Sequence, residues 1–212
     1  MPVRKTEMVP DKAELRRMMR ARLRSLGEAR DAHSRAICAA IAAQPAYVAA
    51  RVVAIFDPLP SEPAVDRLWE IAARRFVYPR IVGDGLELVE VRSVEELSQV
   101  EKRTFREPRV DGAVAHSLEE VDVILVPGLA FTRGGERLGR GGGFYDRLLA
   151  SLPARTVRLG VCFECQIVDE LPGEAHDMRV DVVVTEASPC ANGATHSSPG
   201  QSPGNVPVCG QG

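Results

Sequence analysis

Between Val121 and Leu152 the chain passes from an apolar strand through a glycine-rich segment into a helix. That order of elements builds phosphate sites. Gly134, Gly135, Gly139, Gly141, Gly142 and Gly143 let backbone N–H groups approach a ligand with no Cβ in the way. The helix that follows offers its unpaired donors and the positive end of its dipole. Arg137 and Arg140 add two permanent charges in the same loop. Asp146, just inside the helix, is placed to hold a cation against a bound anion. A polyphosphate with magnesium is the expected guest. A plain strand-to-helix connection takes about two to six residues and needs no arginines.

Two known phosphate motifs are excluded by spelling. A P-loop requires Lys-Ser or Lys-Thr after its last glycine, and here Gly143 is followed by Phe144. A dinucleotide fingerprint built on Gly139-Arg140-Gly141 would need a small residue where Phe144 stands, so that helix and strand can pack closely.

The segment Arg137-Leu138-Gly139-Arg140-Gly141-Gly142-Gly143-Phe144-Tyr145-Asp146-Arg147, following Val126-Pro127-Gly128, resembles the signature of the 5-formyltetrahydrofolate cyclo-ligase family. Three further segments agree in order. They are Lys12-Ala13-Glu14-Leu15-Arg16, Phe105-Arg106-Glu107-Pro108, and the block from Cys165-Gln166 through His176-Asp177 to Val184-Thr185-Glu186. The resemblance implies an ATP- and Mg2+-dependent enzyme that converts 5-formyltetrahydrofolate to 5,10-methenyltetrahydrofolate, releasing ADP and phosphate. It implies ATP contacts at Lys12, Arg16, Arg137, Leu138, Gly139, Arg140, Gly141, Gly142, Gly143, Phe144 and Tyr145. Arg137 and Asp146 carry the chemistry, and Asp146 and Asp177 hold the metal. Glu62, Tyr78, Phe144 and Tyr145 are the expected folate contacts. The sequence departs from the family pattern at Pro63, Asp66, Thr104 and Phe144; Phe144 keeps an aromatic surface and loses a hydroxyl. A small-molecule kinase on the same scaffold and a non-catalytic nucleotide- or folate-binding regulator are the alternatives.

The rest of the chain fits one enzyme domain. At 212 residues and 45% hydrophobic composition it buries one core and is short for two. A formal net charge of −2 argues against a nucleic-acid partner. No apolar run reaches membrane length, and Arg4 and Lys5 lead into a charged helix with no signal core. A cytoplasmic monomer with no membrane partner is expected. Cys162 and Cys165 have the spacing of a redox or zinc pair, but a second pair would have to come from Cys190 and Cys209, so a structural role is expected. His176, with no partner motif, also reads as structural.

Asp11 can cap a first helix with Glu14 three residues on. Leu15, Met18, Met19, Leu23 and Leu26 then fall on one face, and Gly27 ends it. Lys12, Arg16, Arg20 and Arg24 form the opposite row; Arg20 and Arg24 read as solvated, while the resemblance sends Lys12 and Arg16 to the phosphates. An alanine-rich helix runs to about Ala43. Strands are expected at Arg51–Phe56, Phe76–Tyr78, Leu86–Val91, Val121–Val126, Val157–Val161 and Val180–Val184, with a helix from Pro63 to Arg75 between the first two. Strands and helices in this alternation imply an α/β fold, a mainly parallel or mixed sheet flanked by helices on both faces in a single domain over residues 1–187. Ligands of such sheets lie beyond the carboxyl ends of the strands, where Glu62, Tyr78, the glycine segment and Asp177 fall. The segment 188–212, rich in Pro, Gly, Ser and Asn, reads as a disordered tail.

Overall fold

The computed structural model describes residues 10–71, 74–101, 104–109, 114–174 and 177–188. The expectations for His176, Cys190, Cys209 and the tail beyond Ser188 lie outside the described residues. Helix α1 is Lys12–Arg24, and the Asp11 carboxylate accepts the Glu14 N–H at 2.8 Å. That cap satisfies one of the orphan donors of the first turn. Leu15, Met19 and Leu23, four residues apart, are buried. Met18, expected on the same face, is 37% exposed. Arg20 and Arg24 lie in solvent, whereas Lys12 and Arg16 are half-buried. Helices α2 (Ala29–Ala42) and α3 (Pro45–Ala49) follow and lead into strand β1 (Val52–Ala54).

The region expected to form one helix from Pro63 to Arg75 divides. A 3-10 turn at Val65–Arg67 passes into a four-residue helix α4 (Leu68–Ile71), and Arg75 already belongs to strand β2 (Arg75–Val82). Arg75 pairs with Val52 of β1, so the parallel ladder starts where the sequence reading still had helix. β2 is longer than the expected Phe76–Tyr78 and contains Pro79. Its Cα partner Leu88 gives its carbonyl to the His116 N–H on the outer side of β3 (Gly85–Val91). The Pro79–Leu88 pair is therefore non-hydrogen-bonded, and the missing N–H faces ground that β1 has vacated after Ala54↔Val77.

A short hairpin, β4 (Leu97–Gln99) with β5 (Arg106–Pro108), comes next. The chain re-enters the sheet as β6 (Val123–Pro127) and forms a small hairpin, β7 (Ala130–Phe131) with β8 (Arg137–Leu138). It then crosses over through helix α5 (Phe144–Ser151) to β9 (Val157–Val161) and β10 (Val182–Val184). The six-stranded sheet has the order β10-β9-β6-β1-β2-β3. All neighbours are parallel except β2 and β3. Side chains alternate between faces. Val53, Leu125 and Leu159 pack with Leu15, Met19, Ile37 and Ile41 on one side. Val52, Ala54, Ile124 and Val126 pack with Leu148 and Leu149 of α5 on the other. Burial on both faces explains why these strands read as continuous apolar runs. Among the described residues no helix is long and apolar enough to cross a membrane.

Cys38, Cys162 and Cys165 are free thiols. Burial raises the Cys38 thiol to about 12, and it lifts Cys162 and Cys165 above the ordinary range too. No metal-ligating cluster of three or more His, Cys, Asp or Glu occurs among the described residues. A thiol held protonated is a poor nucleophile. Native protein treated with iodoacetamide near pH 7.5 is therefore expected to leave Cys38 and Cys162 unmodified until denaturant is added, as read by peptide mass spectrometry. Stoichiometric modification of Cys162 in the native state would contradict this.

Candidate functional site

The glycine segment is held at its start by an arginine inside the fold. Arg137 is in strand β8, not in a loop, and its side chain is only 3% exposed. One terminal nitrogen donates to Asp146 Oδ1 at 2.6 Å and the other to the Pro127 carbonyl at 3.3 Å. Asp146 stands in the first turn of α5 and also accepts the Met178 N–H. Gly141 (φ +110°) and Gly143 (φ +65°) carry the chain from β8 to α5 through backbone that L side chains rarely adopt.

Two cavities lie against this segment. The first, of about 230 Å³, is walled by apolar groups including Phe56, Leu59, Ile81, Phe105, Phe144 and Tyr145, and Glu62, Glu107 and Arg140 line it too. The second, of about 450 Å³, is polar and lined by Lys12, Arg16, Leu138, Gly141, Glu174 and Asp177. Arg137, Gly139, Gly143 and Asp146 line both. They form the partition.

Charged groups in both cavities pair with one another. Lys12 Nζ is 2.8 Å from Asp177 and 3.2 Å from Glu174. Desolvation lowers its pKa, but these two carboxylates outweigh that and the net shift is upward. Arg16 Nε donates to the Gly139 carbonyl at 3.0 Å, tying α1 to the glycine segment. In the first cavity Arg140 donates to Glu62 Oε1 from Nε (3.0 Å) and Nη2 (2.8 Å), and to Ser61 Oγ at 3.0 Å. The other Glu62 oxygen accepts the Leu59 N–H. Burial raises the Tyr145 phenol above its usual value; Glu62 adds to the rise and Arg137 opposes it.

The residues expected to act together are thus brought together, with one exception. Tyr78 is 1% exposed, in the core beside α4, and its hydroxyl accepts the Trp69 indole N–H at 2.8 Å. Side chains alternate along β2, and the neighbours Pro79 and Ile81 face the cavity instead. Tyr78 therefore lines neither cavity and is not placed to touch a folate there. Leu138 turns its side chain into the core, which leaves only its backbone for a ligand. Arg140, Gly142, Phe144 and Tyr145 line the apolar cavity and not the polar one. Asp57 and Arg106 had no assigned role in the sequence reading. Asp57 accepts the Arg106 backbone N–H at 2.7 Å and its guanidinium at 2.6 and 3.0 Å, clamping β5 over the apolar cavity. The only signals for them were the loop beginning at Asp57 and the segment Phe105–Pro108.

The α/β fold thus sets two cavities side by side, one apolar and one lined by cations and carboxylates. The model of the 5-formyltetrahydrofolate cyclo-ligase family matches residues 8–186, and the chain belongs to that family. It is a ligase of folate one-carbon metabolism. The 5-formyltetrahydrofolate cyclo-ligase of Escherichia coli (strain K12) is 34% identical over 149 residues, 66% of this chain and 81% of that one. The protein of the same name from Mus musculus is 30% identical over 196 residues, 85% of this chain and 96% of that one. The solved structure of Aquifex aeolicus 5,10-methenyltetrahydrofolate synthetase superposes with a TM-score of 0.73 at 32% identity, covering 83% of this chain and 90% of that one.

Proposed function

We propose that the enzyme cyclises 5-formyltetrahydrofolate to 5,10-methenyltetrahydrofolate at the expense of ATP with Mg2+, releasing ADP and phosphate. The observation that carries this reading is the shared partition. A pterin fits the apolar, aromatic-lined cavity, a triphosphate fits the cation-lined one, and Arg137 and Asp146 stand where the two meet. The formyl oxygen of the folate attacks the γ-phosphorus of ATP and ADP leaves. N10 then attacks the activated carbon, which closes the ring; N10 gives up its proton to solvent and the C–O bond breaks to free phosphate.

Phosphoryl transfer is mainly positioning and charge neutralisation, and the residues present fit that task. Among the described residues the buried Nε of Arg137 has no hydrogen-bond partner, a donor available to a phosphate oxygen. Lys12 and Arg16 approach the polar cavity from α1, and the glycine segment brings backbone close to it. Asp146 and Asp177 present the carboxylate oxygens that Mg2+ prefers. When bound there, the metal would offset charge on the transferred group. Lys12 and Arg137, the partners of these two carboxylates, lie beside the place where the triphosphate would sit. No side-chain nucleophile is required.

ATP cleavage is therefore expected to depend on both the folate and a divalent cation, because the acceptor oxygen belongs to the substrate. Purified protein is mixed with Mg-ATP and 5-formyltetrahydrofolate, and the methenyl product is followed by its near-ultraviolet absorbance alongside ADP release. Equal ATP hydrolysis with and without the folate would sink the proposal. Binding with no turnover would point to a regulator, and ATP consumption with a non-folate acceptor to a kinase.

A further inference from the structure

We propose that Arg147 is a positioning residue for the apolar cavity, a strut that sets the distance between its two walls. The proposal rests on the reading of that cavity as the folate site. Arg147 lies on α5, where its N–H donates to the Gly143 carbonyl. Its guanidinium leaves the helix and joins two other elements. Nε donates to the Asp84 carbonyl at 2.9 Å, and Nη2 donates to the same oxygen and to the Gly142 carbonyl at 3.1 Å. Asp84 is in the turn between β2 and β3, the hairpin that supplies Pro79, Ile81 and Leu86 to the cavity. Gly142 and Phe144 line the cavity from the glycine side. One side chain therefore spans both walls.

The same guanidinium carbon sits 5.2 Å from the centroid of the Phe144 ring, within cation–π range. This matters because Phe144 has no hydroxyl by which a hydrogen bond could fix its ring. The strut adds a second constraint at Gly143, whose φ of +65° already disfavours a side chain. A Cβ there would come 2.8 Å from Arg147 Nη1, so any larger residue would push the guanidinium out of place. Only a planar, forked cation reaches two carbonyls while lying over a ring. Because Arg147 is exposed, its removal loosens the walls without opening the core.

The test compares Arg147→Ala with the unaltered chain by two readouts. Hydrogen exchange at the β2–β3 turn and across residues 139–144 is expected to speed up in the variant, with β6 and β9 unchanged. In steady state KM for 5-formyltetrahydrofolate is expected to rise about fivefold or more, while KM for ATP and kcat change less than about twofold. Unchanged exchange, or both KM values and kcat moving together, overturns the proposal. Should Arg147→Ala not fold, Arg147→Lys is judged by the same two readouts, since a compact ammonium lacks the planar fork that spans both carbonyls while lying over the ring. If the unaltered chain forms no methenyl product, the folate reading fails separately, and the exchange comparison still decides the strut.

Discussion

Arg137→Ala is expected to lose both turnover and stability. A loop arginine would cost ATP affinity or turnover and leave the fold intact, which is what the sequence implied for this position. The folded chain places it differently: the guanidinium is almost wholly enclosed and paired with Asp146, and it also reaches the Pro127 carbonyl at the end of β6. Removing the arginine leaves Asp146, whose side chain is 21% exposed, without its partner and leaves a void among enclosed groups, together about 3 kcal/mol. For a chain of this size that corresponds to a fall of roughly 6–12 °C in Tm. In the proposed reaction the loss falls on the transferred phosphoryl group, and kcat is expected to drop on the order of 100-fold or more. Arg24→Ala, a solvent-exposed position in the last turn of α1, should change neither quantity. Thermal melting and steady-state kinetics on the two variants check this. If Arg137→Ala melts like the unaltered chain, the pair does not support the fold. If it turns over normally, Arg137 is not at the reacting phosphate.

The features legible in the sequence were those whose physics is local. The Asp11 cap, the four-residue spacing of Leu15, Met19 and Leu23, and the run Val157–Val161 each announce themselves within one element. The glycine segment was legible because its residue types have few other uses. Local pattern ran out where pairing with distant chain decides. β7 and β8 are two residues each, too short for any periodicity, so Arg137 read as a loop residue. Arg75 became strand because β1 offers it a ladder, which a helix pattern counted forward from Pro63 cannot register. Tyr78 was assigned to the cleft by its nearness to a strand end; which face it takes depends on the β2 register, and that register puts it in the core. The clamp between Asp57 and Arg106 joins residues 49 apart in sequence, and neither carries a mark of its own.

Gly135→Ala is expected to be the most destabilising of the single-methyl changes considered for the glycine segment, by about 3 kcal/mol or more. Gly135 is in the turn between β7 and β8 at φ +87°, where an L residue is strained by about 1–2 kcal/mol before any contact is counted. A Cβ there would also overlap the Val180 carbonyl oxygen and lie 3.3 Å from its carbon. Those atoms are backbone, fixed by the Val180 N–H donating to the Gly135 carbonyl at 2.9 Å, so no rotamer change relieves the overlap. Gly134 is an internal control one residue away. Its Cβ would be 3.6 Å from Thr132 Oγ1, an ordinary contact, and the position is exposed; Gly134→Ala should stay within about 0.5 kcal/mol. Urea unfolding of the pair measures the difference. The strain should also reach the site, because the segment displaced by the new methyl includes Met178, bonded to Asp146, and adjoins Asp177, bonded to Lys12. At temperatures where Gly135→Ala remains folded, its apparent affinity for Mg-ATP should fall by more than its affinity for the folate. Equal stability losses at Gly134 and Gly135 would mean that the Val180 contact does not hold the β7–β8 turn. A stability loss confined to Gly135 with unchanged Mg-ATP affinity would mean that the turn and the polar cavity are independent.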